Sequence, residues 1–377
     1  MTQRATVLIV GGGIAALETA LGLYESPNFS ADVALVAPNE KFYYRPFAVL
    51  EPFGFHQNAE LALGELLKDS RTTLIHDSVA RVDLDLKVAT LGGGEAIEFD
   101  ALVIATGAAQ SEGIKGATTV GGPDGTAGVA RLLTEIDSGT LRRIAFVAAR
   151  GASWTLPIYE LALLTAARAA HRRGSGIRIA VITPERQPLG IFGPEASDRV
   201  TALLRDAEIE LHTAESALSF ADGVITTLAR TEIKADRTVA LPILTGHRID
   251  GLPQNEAGFL AVDEHGLVSG QRDLYAAGDT TDFPVKQGTI ASQQAEAVVE
   301  SLACRCGSQE QARAFVPQLH GVLFSTHGKT VMDALRGPGG QTSDAIPEQL
   351  LEDDAEKFYS RYLGRRMQQL RARSMRS

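Results

Sequence analysis

Gly11, Gly13 and Ala16 are spaced G-x-G-x-x-A, a spacing that suits close approach to a pyrophosphate. Gly11 permits a tight turn, Gly13 lets backbone come near a phosphate, and Ala16 is small enough for a following helix to pack on its strand. Ile14 and Ala15 fall in the first turn of that helix, where unpaired N–H groups and a partial positive charge collect. A second group lies far downstream, at Ala277-Gly278-Asp279. The glycine again allows close approach, and Asp279 is placed to bond a polyol hydroxyl. Lys286-Gln287-Gly288 then opens a helix whose N-terminus, with Lys286 beside it, would stabilise negative charge developing on a ring carbonyl. Ala105-Thr106-Gly107 ends a buried run without bulk, which suits backbone passing close to a ligand. A chance glycine turn and a solvated lysine are the plainer readings of any one of these motifs.

These residues need particular elements to hold them. Val7-Leu8-Ile9-Val10 reads as a short buried parallel strand leading into the glycine turn and a helix through about Tyr24. A second strand, Val33-Ala34-Leu35-Val36, ends in Ala37 where a dinucleotide domain usually carries an acid for the ribose. Alanine cannot make that bond, so Asn39 or Glu40 substitutes, or backbone holds the ribose. Phe42-Tyr43-Tyr44-Arg45-Pro46-Phe47 reads as a loop packed on something flat, or as a plain aromatic anchor. A polar helix is expected near 61–67, then strands at 74–75, 79–84, 88–91 and around Ile97, with Gly92-Gly93-Gly94 as a hairpin turn.

Residues 113–128 are glycine-rich and read as an irregular crossing between domains. A second αβ unit follows: a strand at 144–147, a helix from Pro157 to about Arg172, and a strand at 177–182 with Glu185 just beyond. Its turn, residues 148–157, has one glycine where a nicotinamide-binding turn wants two or three, and Trp154 and Arg150 would crowd a pyrophosphate. A helix at 195–206 and short strands lead to about 239–242, where the chain is expected to return to the first domain.

At 377 residues the chain is too long for one core and predicts two or three domains. It is 44% apolar and 22% charged, the composition of an ordinary soluble protein. A net charge of −10 argues against nonspecific binding to nucleic acid. No signal peptide is expected, and no apolar run reaches the ~18 residues of a membrane span. The two cysteines, Cys304 and Cys306, argue against a disulfide framework and fit a reducing cytoplasm. Nothing in the sequence is read as a metal site.

The motifs at 11–18, 100–107 and 274–279, in that order and spacing, resemble the two-dinucleotide-binding-domain flavoproteins: the pyridine-nucleotide disulfide reductases, type II NADH dehydrogenases and sulfide:quinone oxidoreductases. The resemblance covers about 7–363. It implies an α/β fold of two Rossmann-like, three-layer domains with a short C-terminal segment. The first, at 1–112 plus 236–305, would bind FAD. The second, at 113–235, would be NAD(P)-binding-like with a degenerate phosphate turn, and 306–377 would be an interface or helical segment. By this resemblance Gly11, Gly13 and Ala16 lie on the FAD pyrophosphate, Thr106 and Gly107 beside the cofactor, Val79 near its adenine and Asp279 on its ribityl chain. Ile14, Ala15, Asn39, Arg45, Ala105, Gly278, Lys286 and Gln287 complete the expected cofactor contacts.

The tract 283–295 and Tyr44-Arg45-Pro46 look most like the sulfide:quinone oxidoreductase branch. Glu160 matches an acid that sits near the flavin in many relatives, which makes it a candidate proton-relay carboxylate with its pKa raised by burial. The plainer reading is a carboxylate paired with an arginine. The function implied is an FAD-dependent oxidoreductase passing two electrons from a small-molecule donor to an acceptor such as a quinone. Thiol chemistry at the flavin needs thiolates within reach, and the chain has no cysteine before Cys304. The eroded second turn leaves NAD(P)H open as the donor. An NAD(P)H-linked reductase and a non-catalytic flavin-binding or sensor protein are the alternatives.

The tail carries a charge switch. Residues 344–356 hold six acids and no base, and 357–376 hold seven bases and no acid. A helix across the switch would suit the macrodipole, with Phe358, Tyr359, Tyr362, Leu363, Met367 and Leu370 at helical spacing. It would dock on the flavin domain with a solvated basic face, or lie on the inner face of a membrane and deliver the flavin to a quinone.

Overall fold

The computed structural model describes residues 6–45, 48–54, 60–170, 176–307, 311–325, 328–336, 342–345 and 359–374. The first domain begins with β1 (Thr6–Val10), α1 (Ile14–Glu25) and β2 (Asp32–Val36). The chain then passes through the four-residue helix α2 (Leu63–Leu66) to β3 (Thr72–Ile75) and β4 (Ala101–Ile104). The central strands β1 and β4 are aliphatic and buried on both faces, whereas the edge strand β3 is not, and parallel pairing is the arrangement that covers both faces of the centre. Near α2 the expected helix is shorter than the sequence pattern, because 60–62 pairs antiparallel with 41–43 instead. The expected glycine hairpin joins Val88–Leu91 to Ala96–Glu98, beside Val79–Asp83.

The second domain runs β5 (Thr118–Thr119), α3 (Gly122–Ser138), β6 (Arg143–Val147), α4 (Leu156–Ala170), β7 (Arg178–Ile182), α5 (Pro194–Asp206), β8 (Ile209–His212) and β9 (Arg237–Ala240). These strands form a second five-stranded parallel sheet in the order β5-β9-β6-β7-β8. Two expectations change here. The stretch 113–128 is not irregular throughout, since α3 starts inside it; Val129, Leu132, Leu133 and Ile136 are buried at helical spacing and outweigh the glycines. The return to the first domain comes after residue 240, within the expected 239–242 and past the domain boundary set at 236, because β9 completes the second sheet beside β6.

The chain re-enters the first sheet as β10 (Leu274–Ala276), giving the order β10-β4-β1-β2-β3, and continues as α6 (Gly288–Arg305). Helices α1 and α6 pack through small side chains, Ala15, Ala16, Ala291 and Ala295, beside Val298 and Val299. A Cβ on Gly22 would come within 2.8 Å of Val299 and 2.9 Å of Tyr362, so that position stays bare.

Among its described residues the C-terminal segment holds a three-stranded sheet as well as a helix. Strands β11 (Gln318–Ser325), β12 (Gly328–Arg336) and β13 (Thr342–Ala345) are antiparallel. Leu319 and Leu323 alternate into the core beside α4, which is the period of a strand. Among the described residues of the tail, helix runs over α7 (Leu363–Ser374); the charge switch itself, for which a helix is expected, falls in 346–358 and lies outside the described residues. Helix α7 docks on the first domain with Leu363 and Met367 buried. Its entry is held by Glu18 of α1, whose buried carboxylate accepts from Ser360 Oγ at 2.6 Å and from the N–H groups of Arg361, Tyr362 and Leu363 at 2.8, 2.9 and 2.7 Å. Among the described residues, no helix is long and apolar enough to cross a membrane.

Candidate functional site

A cavity of about 790 Å³ lies between the two domains and the C-terminal sheet. Its floor is the turn after β1. Gly11 has φ +131°, and a Cβ there would meet the Ala105 carbonyl oxygen at 2.2 Å, so only glycine lets β1 and β4 end this close together. Gly13 is the N-cap of α1 with no side-chain cap, and a Cβ on it would meet nothing within 4 Å. The uncapped donors of α1 therefore face open space. Ile14 and Ala15 line the cavity, whereas Ala16 is fully buried between helix and sheet and does not line it. Its small size serves packing alone.

The other predicted positions gather on the same walls. Ala105, Thr106 and Gly107 line it from the end of β4, and Thr106 Oγ1 lies 3.3 Å from Thr280 Oγ1. Asn39, Arg45 and Val79 line the side toward β2 and β3, while Glu40 does not reach it. Ala37 is buried against the glycine turn: its Cβ would be 3.0 Å from one built on Gly12. Ala37 itself lines the cavity, so no acid stands there at the end of β2. Phe42 and Tyr44 are buried in the first domain's core, the anchor reading of that loop, and Pro46 and Phe47 lie outside the described residues.

Gly278, Asp279, Lys286 and Gln287 complete the wall opposite. Asp279 has no hydrogen-bond partner among the described residues, and burial pushes its carboxyl up against the pull of Lys286 and Arg45. Lys286 is 9% exposed, donates to the Thr281 carbonyl and sits 4.0 Å over the Phe259 ring. Burial pushes its ammonium down to about 8, opposed by Asp279 and then Asp282. Gln287 is the N-cap of α6 without a side-chain cap bond, and its Nε2 is buried without a partner. Two uncapped helix N-termini and an unpartnered amide thus open on one cavity. That set fits a group with a pyrophosphate at one end and an electron-rich ring at the other.

From the second domain, Glu160 of α4 reaches the cavity as a fully buried carboxylate. It accepts the N–H of Phe324 in β11 at 3.1 Å. Trp154 also lines the cavity, edge-on to Phe192 at 5.7 Å, and walls the place where further glycines would leave room. Arg150 is exposed and does not line it. Glu185 is occupied elsewhere. Its Oε2 accepts from Tyr159 Oη at 2.5 Å and Thr183 Oγ1 at 3.1 Å, and burial raises its carboxyl despite these bonds. The two cysteines are remote: Cys304 lies about 24 Å along α6 from Gly288 at ~1.5 Å per residue. Burial pushes the Cys306 thiol up, away from the reactive thiolate.

Sequence reasoning missed His320, which lines the cavity from β11 with Nδ1 2.6 Å from Asp333 Oδ1, and His247, whose pKa is lowered by burial and then by Arg45. The alternation at 318–324 could have found His320 on a strand. Its partner follows only from the hairpin register.

A profile of the family described as pyridine nucleotide-disulphide oxidoreductase matches residues 5–295. A rhodocoxin reductase of Rhodococcus erythropolis is 27% identical over 351 residues, covering 86% of this chain and 74% of that protein. Among solved structures, the sulfide:quinone oxidoreductase of Aquifex aeolicus superposes with a TM-score of 0.81 at 19% identity, over 91% of this chain and 86% of that one. A ferredoxin reductase of Rhodopseudomonas palustris gives 0.66 at 20% identity, over 88% and 83%.

Proposed function

From the premise that this chain belongs to the pyridine nucleotide-disulphide oxidoreductase family and is an FAD-dependent oxidoreductase, we propose that it carries two electrons from a donor to a quinone-type acceptor without redox cysteines. The observation that carries this reading is the single cavity onto which the N-termini of α1 and α6, Asp279 and Lys286 all open, while both cysteines sit at the far end of α6. FAD, when bound, supplies the two-electron chemistry. The protein binds its pyrophosphate at Gly11, Gly13 and the start of α1, and a polyol hydroxyl at Asp279. Lys286, Gln287 and the first turn of α6 hold negative charge at the ring's pyrimidine side. Asn39, Arg45 and Val79 take the adenosine side, and Glu160 holds a proton between the cavity and β11. The apolar lining from Val49, Leu161 and Val322 suits a flat, weakly polar acceptor. The Aquifex relative, whose name includes a quinone, supports the same class.

The second parallel sheet favours another donor reading, in which NAD(P)H reduces the protein. One titration separates them. The FAD-loaded protein is mixed anaerobically with NADH, NADPH and sulfide in turn, and then with a water-soluble benzoquinone. Bleaching by a nicotinamide identifies that donor, and bleaching by sulfide overturns the thiol argument. Return of the oxidised spectrum on adding the quinone is the expected outcome. A spectrum that no donor bleaches would point to a non-catalytic flavin protein. Contact with an anionic membrane surface would run through the arginines of α7, because Leu363 and Met367 are already buried; cosedimentation with anionic vesicles tests it.

A further inference from the structure

The antiparallel register of β11 and β12 sets His320 directly opposite Asp333. Side chains at such cross-strand positions meet, and here the meeting is a hydrogen bond of 2.6 Å between His320 Nδ1 and Asp333 Oδ1. The strand's other face is spent on packing, with Leu319 and Leu323 in the core. The imidazole lies in the wall of the same cavity as Lys286 and Glu160. With Nδ1 committed to the carboxylate, Nε2 is the remaining ring nitrogen, and among the described residues it has no partner. A carboxylate on one imidazole nitrogen fixes the tautomer and steadies the imidazolium, leaving the other nitrogen to exchange a proton.

We propose that His320, oriented by Asp333, is the proton donor to the acceptor in this cavity; this rests on the quinone reading above. Reduction of a quinone to its hydroquinone takes up two electrons and two protons. The electrons and one proton come from the reduced cofactor. The second proton leaves His320 Nε2 for a quinone oxygen, forming an O–H bond as the N–H bond breaks, and solvent reprotonates the ring. His320 is then a catalytic residue and Asp333 a positioning residue.

The test compares two oxidants on the FAD-loaded protein, reduced anaerobically by dithionite. A benzoquinone analogue needs protons, whereas ferricyanide takes electrons alone. A positioned general acid contributes about 10²–10⁴-fold, so His320→Gln should slow oxidation by the quinone at least tenfold and leave oxidation by ferricyanide unchanged. Asp333→Asn should slow the quinone reaction severalfold, again without moving the ferricyanide rate. A readout independent of turnover is the ¹⁵N spectrum of labelled histidine, which should show neutral His320 with its proton on Nδ1 and a mixed tautomer in Asp333→Asn. Equal slowing of both oxidants, or an unchanged quinone rate, would overturn the role. So would a proton found on Nε2 of the neutral ring in the native protein. Failure of the native protein to reduce the quinone at all would overturn the functional reading along with it, whereas native quinone reduction unmoved by His320→Gln sinks the dyad alone.

Discussion

Asp279 and Lys286 sit a few residues apart and do opposite electrical work. Among the described residues Asp279 has no protein donor, and it is held in the cavity wall where burial disfavours its charge. Such a group is expected to find its partner in a ligand hydroxyl. Asp279→Ala should weaken FAD binding at least tenfold, about 1.4 kcal/mol, read by flavin fluorescence on titration; unchanged affinity would remove Asp279 from the site. Lys286 is pinned by the Thr281 carbonyl and the Phe259 ring, so its charge stays in place. The ammonium is charged below about 8 and discharges above it. Lys286→Met should therefore lower the cofactor's midpoint potential at pH 7 by roughly 30–60 mV, about 1.4–2.8 kcal/mol for two electrons. The difference should shrink as pH rises through about 8, because the native side chain then loses the charge the variant lacks. An equal difference at pH 6 and pH 10 would contradict this role.

At the scale of elements, the glycine-turn helix has two employments. Its N-terminus faces the cavity, and one turn further along Glu18 clasps the segment entering α7 through four donors. The carboxylate thus acts as a cap supplied from another helix, and it lies where the macrodipole of α7 favours negative charge. Arg366 of α7 returns the favour, donating to the carbonyls of Glu65, Leu66 and Lys68 around the end of α2. Glu18→Ala would leave buried N–H groups unpaired and should cost about 2–4 kcal/mol in urea unfolding, with hydrogen exchange rising first across 360–374. Exchange that rises evenly over the whole chain would argue that α7 is not a separately released element.

The whole molecule separates what its relatives' names suggest from what this chain can do. Its second domain keeps the parallel sheet, but Trp154 walls its turn and Glu185 is bound by Tyr159 and Thr183. Its thiols lie at the wrong end of α6. Replacing both, Cys304→Ser with Cys306→Ser, should leave the rate of cofactor reduction and reoxidation within about twofold of native. A loss of a hundredfold or more would bring thiol chemistry back. The three parts meet at one cavity, so the fold has brought residues more than 300 positions apart in the chain, Gly11 and His320, onto shared walls.

Local pattern alone was enough to read the two parallel αβ units, the glycine turn of α1, the opening of α6 and the shortage of thiols. Each rests on short-range facts: aliphatic runs, glycine spacing and residue counts. The misread parts depended on distant partners. Residues 60–62 became strand because 41–43 lay beside them, and β9 stayed in the second sheet because β6 offered its edge. Ala16 was placed on the ligand by its motif, yet the close packing of α1 on the sheet buries it completely. His320 carried no motif at all. It became a candidate only when a hairpin register placed a carboxylate on one side of its ring and the folding of three segments placed the cavity beside it. Spacing along a chain fixes what neighbours within a turn or a strand can do; long-range pairing and burial decide which of those groups face a ligand and which are consumed in holding the protein together.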